Sequence, residues 1–328
     1  MLALGTSVAA ILSSSAVAVD QPYAPTEFHQ MGALDAWKKY EGVLTWGQGQ
    51  CLAILDDGCN IKTPEWQVSL PWGKKVIATW NSMDHNENCS PVPSGNHGTT
   101  IGYPSSLYYG GKRGLAYNDF VAQVRCVSMV HLRKDETKTM AEALQWVVDN
   151  HQKYNITAVN LSPLDDQAHQ KPVPTQIDGP LKKLRDAGIW VSAPCGNNNY
   201  TNGISWPACA EHCFAIGGSQ TNADKAYLDR FSNTDILVPA PYTSSANAYM
   251  VAASMILREA IEKSAYRWQD DGKNMAEAMM AIFKKTGADV RDPISGLSFK
   301  RLDLLKSLDY VFAHGKNKLP PESTAKRP

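Results

Sequence analysis

The sequence carries no excess charge of either sign: 32 Lys and Arg balance 32 Asp and Glu over 328 residues. That balance gives no field to hold nucleic acid or an anionic membrane surface, so neither is an expected partner. Blocks of like charge, low-complexity tracts and repeats at solenoid periods are all missing. So is any apolar run long enough to span a bilayer. Cysteine is scarce and odd in number: Cys51, Cys59, Cys89, Cys126, Cys195, Cys209 and Cys213. An exported chain would pair some of them as disulfides and leave at least one free. Their connectivity is not readable. Cys209 and Cys213 are not followed by a second ligand pair with His partners, which excludes a recognisable zinc site.

What is present begins with the first eighteen residues, MLALGTSVAAILSSSAVA. They hold no charge, an apolar stretch from Val8 to Leu12, and small residues ending at Ala18. This is the pattern of a secretory signal peptide over 1–18, although its positive leading segment is lacking. A single large domain is expected over 19–310. The remainder, 311–328, becomes Lys- and Pro-rich from about Gly315 and is expected to be a disordered tail. Asn88, Asn155, Asn160 and Asn199 head Asn-x-Ser/Thr sequons, relevant only in a glycosylating pathway.

From Cys51 onward, short apolar runs alternate with amphipathic ones. CLAIL (51–55), KVIATW (75–80), FVAQVRCVSM (120–129), ITAVNLS (156–162), IWVSAP (189–194), CFAIGG (213–218) and DILVPA (235–240) read as strands. Their near-continuous apolar character suits strands buried on both faces. TKTMAEALQWVVDNH (137–151), IDGPLKKLRDAG (177–188) and ANAYMVAASMILREAI (246–261) carry apolar residues at helical spacing. The expected fold is α/β, a three-layer α/β/α arrangement around a mostly parallel sheet. In such sheets ligands bind beyond the carboxyl ends of the strands.

The residues just past those runs are chemically pointed. Asp56-Asp57-Gly58 follows the first strand, Cys195-Gly196-Asn197 follows IWVSAP, and Thr243-Ser244 follows DILVPA. His97 lies in GNHGTT, where a helix could begin. An Asp, a His and a Ser are what acyl transfer needs: serine attacks, histidine takes its proton, and aspartate orients the imidazole. A side-chain amide can bind the developing oxyanion. Singly, each has a plain structural reading: Asp56 or Asp57 as a strand-end turn, His97 as a loop cap, Asn197 in a tight turn, and Thr243-Ser244 as a helix N-cap.

Taken in order, these segments resemble the subtilisin-like serine peptidases, the subtilases. LAILDDG is similar to the family strand ending in the catalytic acid, NHGTTIG to its His-Gly-Thr motif, SAPCGNNN to its Ala-Gly-Asn segment, and YTSSANAYMVAAS to its Gly-Thr-Ser-Met-Ala segment. The resemblance extends over roughly residues 27–310. It implies Asp56 as the acid, His97 as the general base, Ser244 rather than Ser245 as the nucleophile, and Asn197 as the oxyanion donor. It also implies an extended peptide or protein substrate lying along Ser162, Pro163 and Leu164, with Gly196 nearby, and pockets setting side-chain preference. No cofactor is required. Calcium is common in the family, but Asp84, Glu87, Asp165 and Asp166 are not spaced as a loop site. A monomer is expected.

The sequence also departs from the family pattern. The link from Pro239 to Thr243 is very short, Tyr242 stands where glycine is usual, and Ala248 replaces proline. Pro163 and Leu164 replace residues that let substrate backbone approach. Tyr103-Pro104 should end the histidine helix early. Two functions are therefore carried forward: a secreted serine endopeptidase, and a catalytically degenerate relative acting as a secreted binding module. An α/β-hydrolase is disfavoured by the missing Gly-x-Ser-x-Gly elbow and the Asp, His, Ser order. No phosphate loop follows the first strand.

Overall fold

A computed structural model describes residues 21–93 and 95–317. The signal-peptide expectation for 1–18 and the end of the tail lie outside them. Seven parallel strands form the heart of the sheet: β1 (Cys51–Asp56), β2 (Val76–Asn81), β3 (Phe120–Arg125), β4 (Ile156–Leu161), β5 (Trp190–Pro194), β6 (Phe214–Ser219) and β7 (Ile236–Pro239). The antiparallel pair β8 (Ala288–Arg291) and β9 (Ser298–Arg301) extends one edge, with β9 parallel to β7. The order is β8-β9-β7-β6-β5-β4-β1-β3-β2.

Side-chain alternation explains why the runs look uniformly apolar. Along β1, Leu52 and Ile54 enter one core, while Cys51, Ala53 and Leu55 enter the other. Each face is buried under helices, so both alternating sets must be apolar. The second core takes Met140, Leu144 and Val147 from Thr137–Tyr154 and Leu181 and Leu184 from Asp178–Asp186. The first takes Met250, Ala253 and Leu257 from the long helix Thr243–Ser264.

Several boundaries differ from the sequence reading. The strand expected over 120–129 leaves the sheet after Arg125. The helix expected from Ala246 starts at Thr243. The histidine helix does end early, spanning only His97–Thr100 before a second turn at Tyr103–Ser106. Met275–Thr286 was not anticipated, although Asn274 caps it by accepting from the Glu277 N–H at 3.0 Å. The last helix, Leu304–His314, passes the boundary expected at 310 because Val311 and Phe312 are buried. All seven cysteines are buried free thiols, so the expected disulfides are not present in this structure.

Candidate active site

Parallel strands place their carboxyl ends on one edge, and the chemistry collects there. Asp56 is the last residue of β1, and His97 is the first residue of the helix His97–Thr100. The Asp56 carboxylate meets His97 Nδ1 at 2.8 Å through Oδ2. Its other oxygen, Oδ1, accepts from the Asp57 N–H at 2.7 Å. Strand end and helix start can approach this closely because residue 98 is glycine. A Cβ there would lie 2.4 Å from the Gly58 carbonyl oxygen and 2.8 Å from the Asp56 Cβ.

Burial works against the His97 imidazolium. The Asp56 charge and hydrogen bond, helped by Asp57, outweigh it and raise the His97 pKa above its ordinary value. Asp57 is pushed up to about 6, first by burial and then by the neighbouring Asp56 charge. Its carboxylate accepts from the Gly98 N–H at 2.9 Å and faces the His97 N–H at 3.4 Å.

Ser244 is the second residue of Thr243–Ser264, so it is not the N-cap; that position belongs to Tyr242, whose side chain caps nothing. The cap comes from another loop. Asn197 Oδ1 accepts from both the Thr243 N–H and the Thr243 hydroxyl, each at 2.9 Å. This external cap lets the helix begin three residues earlier than periodicity suggests. It also fixes the amide orientation, because an oxygen must face a backbone N–H. The Asn197 NH2 group is thereby left for another acceptor. The Ser244 N–H finds no acceptor among the described residues and remains an orphan donor of the first turn.

His97, Asn197, Ser244 and Ser245 line one cleft of about 270 Å³, with Tyr23, Thr100, Ile101, Pro104, His131 and Tyr242. Neither serine hydroxyl has a hydrogen-bond partner among the described residues. The acid and base are therefore engaged with each other and, among the described residues, the nucleophile is not.

The expected substrate-side residues sit differently. Ser162, Pro163, Leu164 and Gly196 are buried and do not line this cleft. Beyond Asp56 the strand β1 is gone; its neighbours β3 and β4 end at the same level, at Arg125 and Leu161, and the segments that follow them run on without it. Two strands flanking a third stand about 9.6 Å apart, which leaves a slot one strand wide. Here the slot is pinched. The Leu164 N–H donates to the Val130 carbonyl and the Leu132 N–H to the Leu164 carbonyl, both at 2.9 Å. A parallel bridge pairs His131 with Leu164. His131 Nδ1 also meets Asp166 Oδ2 at 2.8 Å.

Three supporting residues escaped the sequence reading. The Thr243 hydroxyl accepts from the Gly196 N–H at 3.2 Å, tying the nucleophile helix to the Asn197 loop. Asp229 lies under that loop, fully buried, accepting from the Tyr200 N–H at 2.8 Å. Burial pushes its carboxyl up to about 6. A Cβ on Gly196, whose φ is +112°, would fall 2.2 Å from Asp229 Oδ2, so only glycine fits. Third, Asn247 Nδ2 donates to Asn160 Oδ1 at 2.8 Å, which locks the sequon asparagine inside the fold at 1% exposure. Cys195 is a buried small side chain against Thr234, its thiol pushed well up by burial. Asp165 pairs with His169 at 2.7 Å, and among the described residues no group of three metal-ligating side chains converges. No helix among them is long and apolar enough to cross a membrane.

The comparisons with known proteins agree with this architecture. The model of the subtilase family matches residues 47–273. A subtilisin-like protease of Coccidioides posadasii is 23% identical over 216 residues, covering 64% of this chain and 51% of its own length. A subtilisin-like serine protease of Penicillium rubens is 24% identical over 205 residues, covering 59% and 37%. The chain thus spans about half or less of the curated relatives it matches. Among solved structures, a protease of Pseudoalteromonas arctica superposes with a TM-score of 0.68 at 14% identity, over 90% of this chain and 99% of that one. A cold-adapted subtilisin-like serine proteinase gives 0.58 at 15% identity, over 78% and 89%. These likenesses carry the fold, and the family match covers well over half of the chain: it belongs to the subtilase family.

Proposed function

We propose that the chain is a secreted serine endopeptidase that cleaves peptide bonds through an acyl-enzyme. The observation that carries this reading is the 2.8 Å contact between Asp56 and His97 in the same cleft as Ser244 and Asn197. Ser244 Oγ attacks the scissile carbonyl while His97 takes its proton. Asp56 holds the imidazole tautomer and stabilises the imidazolium. The Ser244 N–H and the Asn197 NH2 group receive the oxyanion, aided by the helix N-terminus. His97 then protonates the leaving amine, and water releases the acyl group by the same route. Export is proposed from the N-terminal segment, and a peptide or protein substrate from the chemistry. Oligomeric state is proposed to be monomeric.

A second reading, a subtilase-fold binding module, is favoured by the pinched slot at Leu164 and by a Ser244 hydroxyl without a partner among the described residues. One experiment separates the two. The purified protein is treated with a fluorophosphonate, beside Ser244→Ala and Ser245→Ala. Labelling lost only in Ser244→Ala is the expected result. Loss only in Ser245→Ala moves the nucleophile by one residue. A folded protein that never labels overturns the peptidase reading in favour of the binding module.

A further inference from the structure

Two carboxylates, not one, meet His97. Alternation would send successive side chains to opposite faces of β1, but the strand ends here. The chain turns at the Asp57 N–H, which donates to Asp56 Oδ1 at 2.7 Å. Both side chains then converge on one residue from different directions. Asp56 holds the ring, and Asp57 holds the backbone. The helix His97–Thr100 has no cap of its own, since the Asn96 side chain makes no capping bond. Its first N–H groups would be orphaned in a partly buried site. Asp57 receives them, from Gly98 at 2.9 Å and from His97 at 3.4 Å.

We propose that Asp57 is a positioning residue for His97, fixing the base's main chain through the Gly98 N–H and holding the proton on its ring by charge. With both oxygens turned to backbone and 3% exposure, Asp57 is not presented to a cationic substrate side chain. A carboxylate this close favours the charged imidazolium. The electrostatics agree, since Asp57 contributes to the raised His97 pKa. The consequence has a definite sign. A general base works only when neutral, so raising its pKa moves the acid limb of activity to higher pH. Removing the Asp57 charge moves that limb down. The other titratable groups around the pair are Asp56, Tyr23, Tyr242 and His131 about the cleft and Cys59 and Cys126 beside the carboxylates. All are retained in the variants below.

The inference rests on His97 being the general base, but its test does not need activity. The His97 ring is titrated by NMR in the wild type, Asp57→Asn, Asp57→Ala and Asp56→Asn. Asp57→Asn keeps an acceptor for the Gly98 N–H and loses only the charge. Its His97 midpoint is expected about one pH unit lower, with the pH midpoint of fluorophosphonate labelling following. Asp57→Ala also frees the backbone, so labelling should slow at every pH. An unmoved His97 midpoint in folded Asp57→Asn overturns the proposal. Should Asp57→Asn not fold, Asp57→Ala decides in the same way, since it also removes the charge: an unmoved His97 midpoint there overturns the proposal. A midpoint that moves in a protein that never labels would instead sink the peptidase reading and leave the Asp57–His97 coupling standing.

Discussion

One side of the site is held by a set of short hydrogen bonds, while the other holds loose ends. On the first, Asp56 engages the His97 ring, Asp57 accepts from the backbone beside it, and Gly98 packs against Gly58. On the second, the Ser244 hydroxyl is unpartnered among the described residues, and the backbone of Leu164, which does not line the cleft, is turned to Val130 and Leu132. The first wall depends on local geometry: a strand end, a turn and the first turn of a short helix. The second depends on how far three separate loops stand apart. Departures from the family pattern at Tyr242, Pro163 and Leu164 fall on that side, while Tyr103-Pro104 falls beside the histidine helix. Acid–base machinery and substrate access are thus structurally separable here, and substitutions can test them apart.

The first wall should break hardest. Asp56→Asn leaves the geometry close to intact but presents an amide where the carboxylate fixed the imidazole tautomer. A fall of about 10⁴ in the fluorophosphonate labelling rate is expected, checked by progress curves at saturating pH. A loss below tenfold would mean that the 2.8 Å contact is not used in the reaction. The joint between the walls comes next. Asn197→Ala removes an oxyanion donor and should cost roughly 10² to 10³ in turnover. It also removes the cap on Thr243, so amide exchange at the start of Thr243–Ser264 should quicken. Slower turnover without faster exchange would assign the loss to oxyanion binding alone.

The contrast between the walls also explains what could be read before the fold was seen. Asp56 was legible because β1 is buried on both faces, so an acid closing an apolar run stands out. The seven parallel strands were legible for the same reason. The start of the nucleophile helix was not. Its cap is Asn197, 46 residues away in sequence, and no local pattern around Ala246 reports it. Asp229 was silent too, because its role is to fill space under Gly196 from a distant loop. The pairing of His131 with Leu164 joins the segments that follow β3 and β4 once β1 has ended between them, a property of the sheet and not of either segment. The start of Met275–Thr286 differs again: its capping signal is local, an Asn at 274 followed three residues later by Glu277.

The smallest predicted effect tests whether the pinched slot limits access. A strand-like substrate entering beside Leu164 must displace the bonds to Val130 and Leu132. A backbone hydrogen bond contributes about 1 kcal/mol net, equivalent to roughly fivefold in an opening equilibrium at room temperature. Leu132→Pro deletes the N–H that donates to the Leu164 carbonyl and touches nothing on the acid–base wall. Hydrolysis of an extended peptide should therefore rise about fivefold in kcat/KM, while labelling by the small phosphonate stays level. The small probe needs only Ser244 and His97, whereas the peptide needs the slot. A rise in both would point to a general loosening of the cleft. No rise in peptide hydrolysis, with labelling intact, would mean that substrate approaches Ser244 by a path that leaves the His131–Leu164 bridge closed.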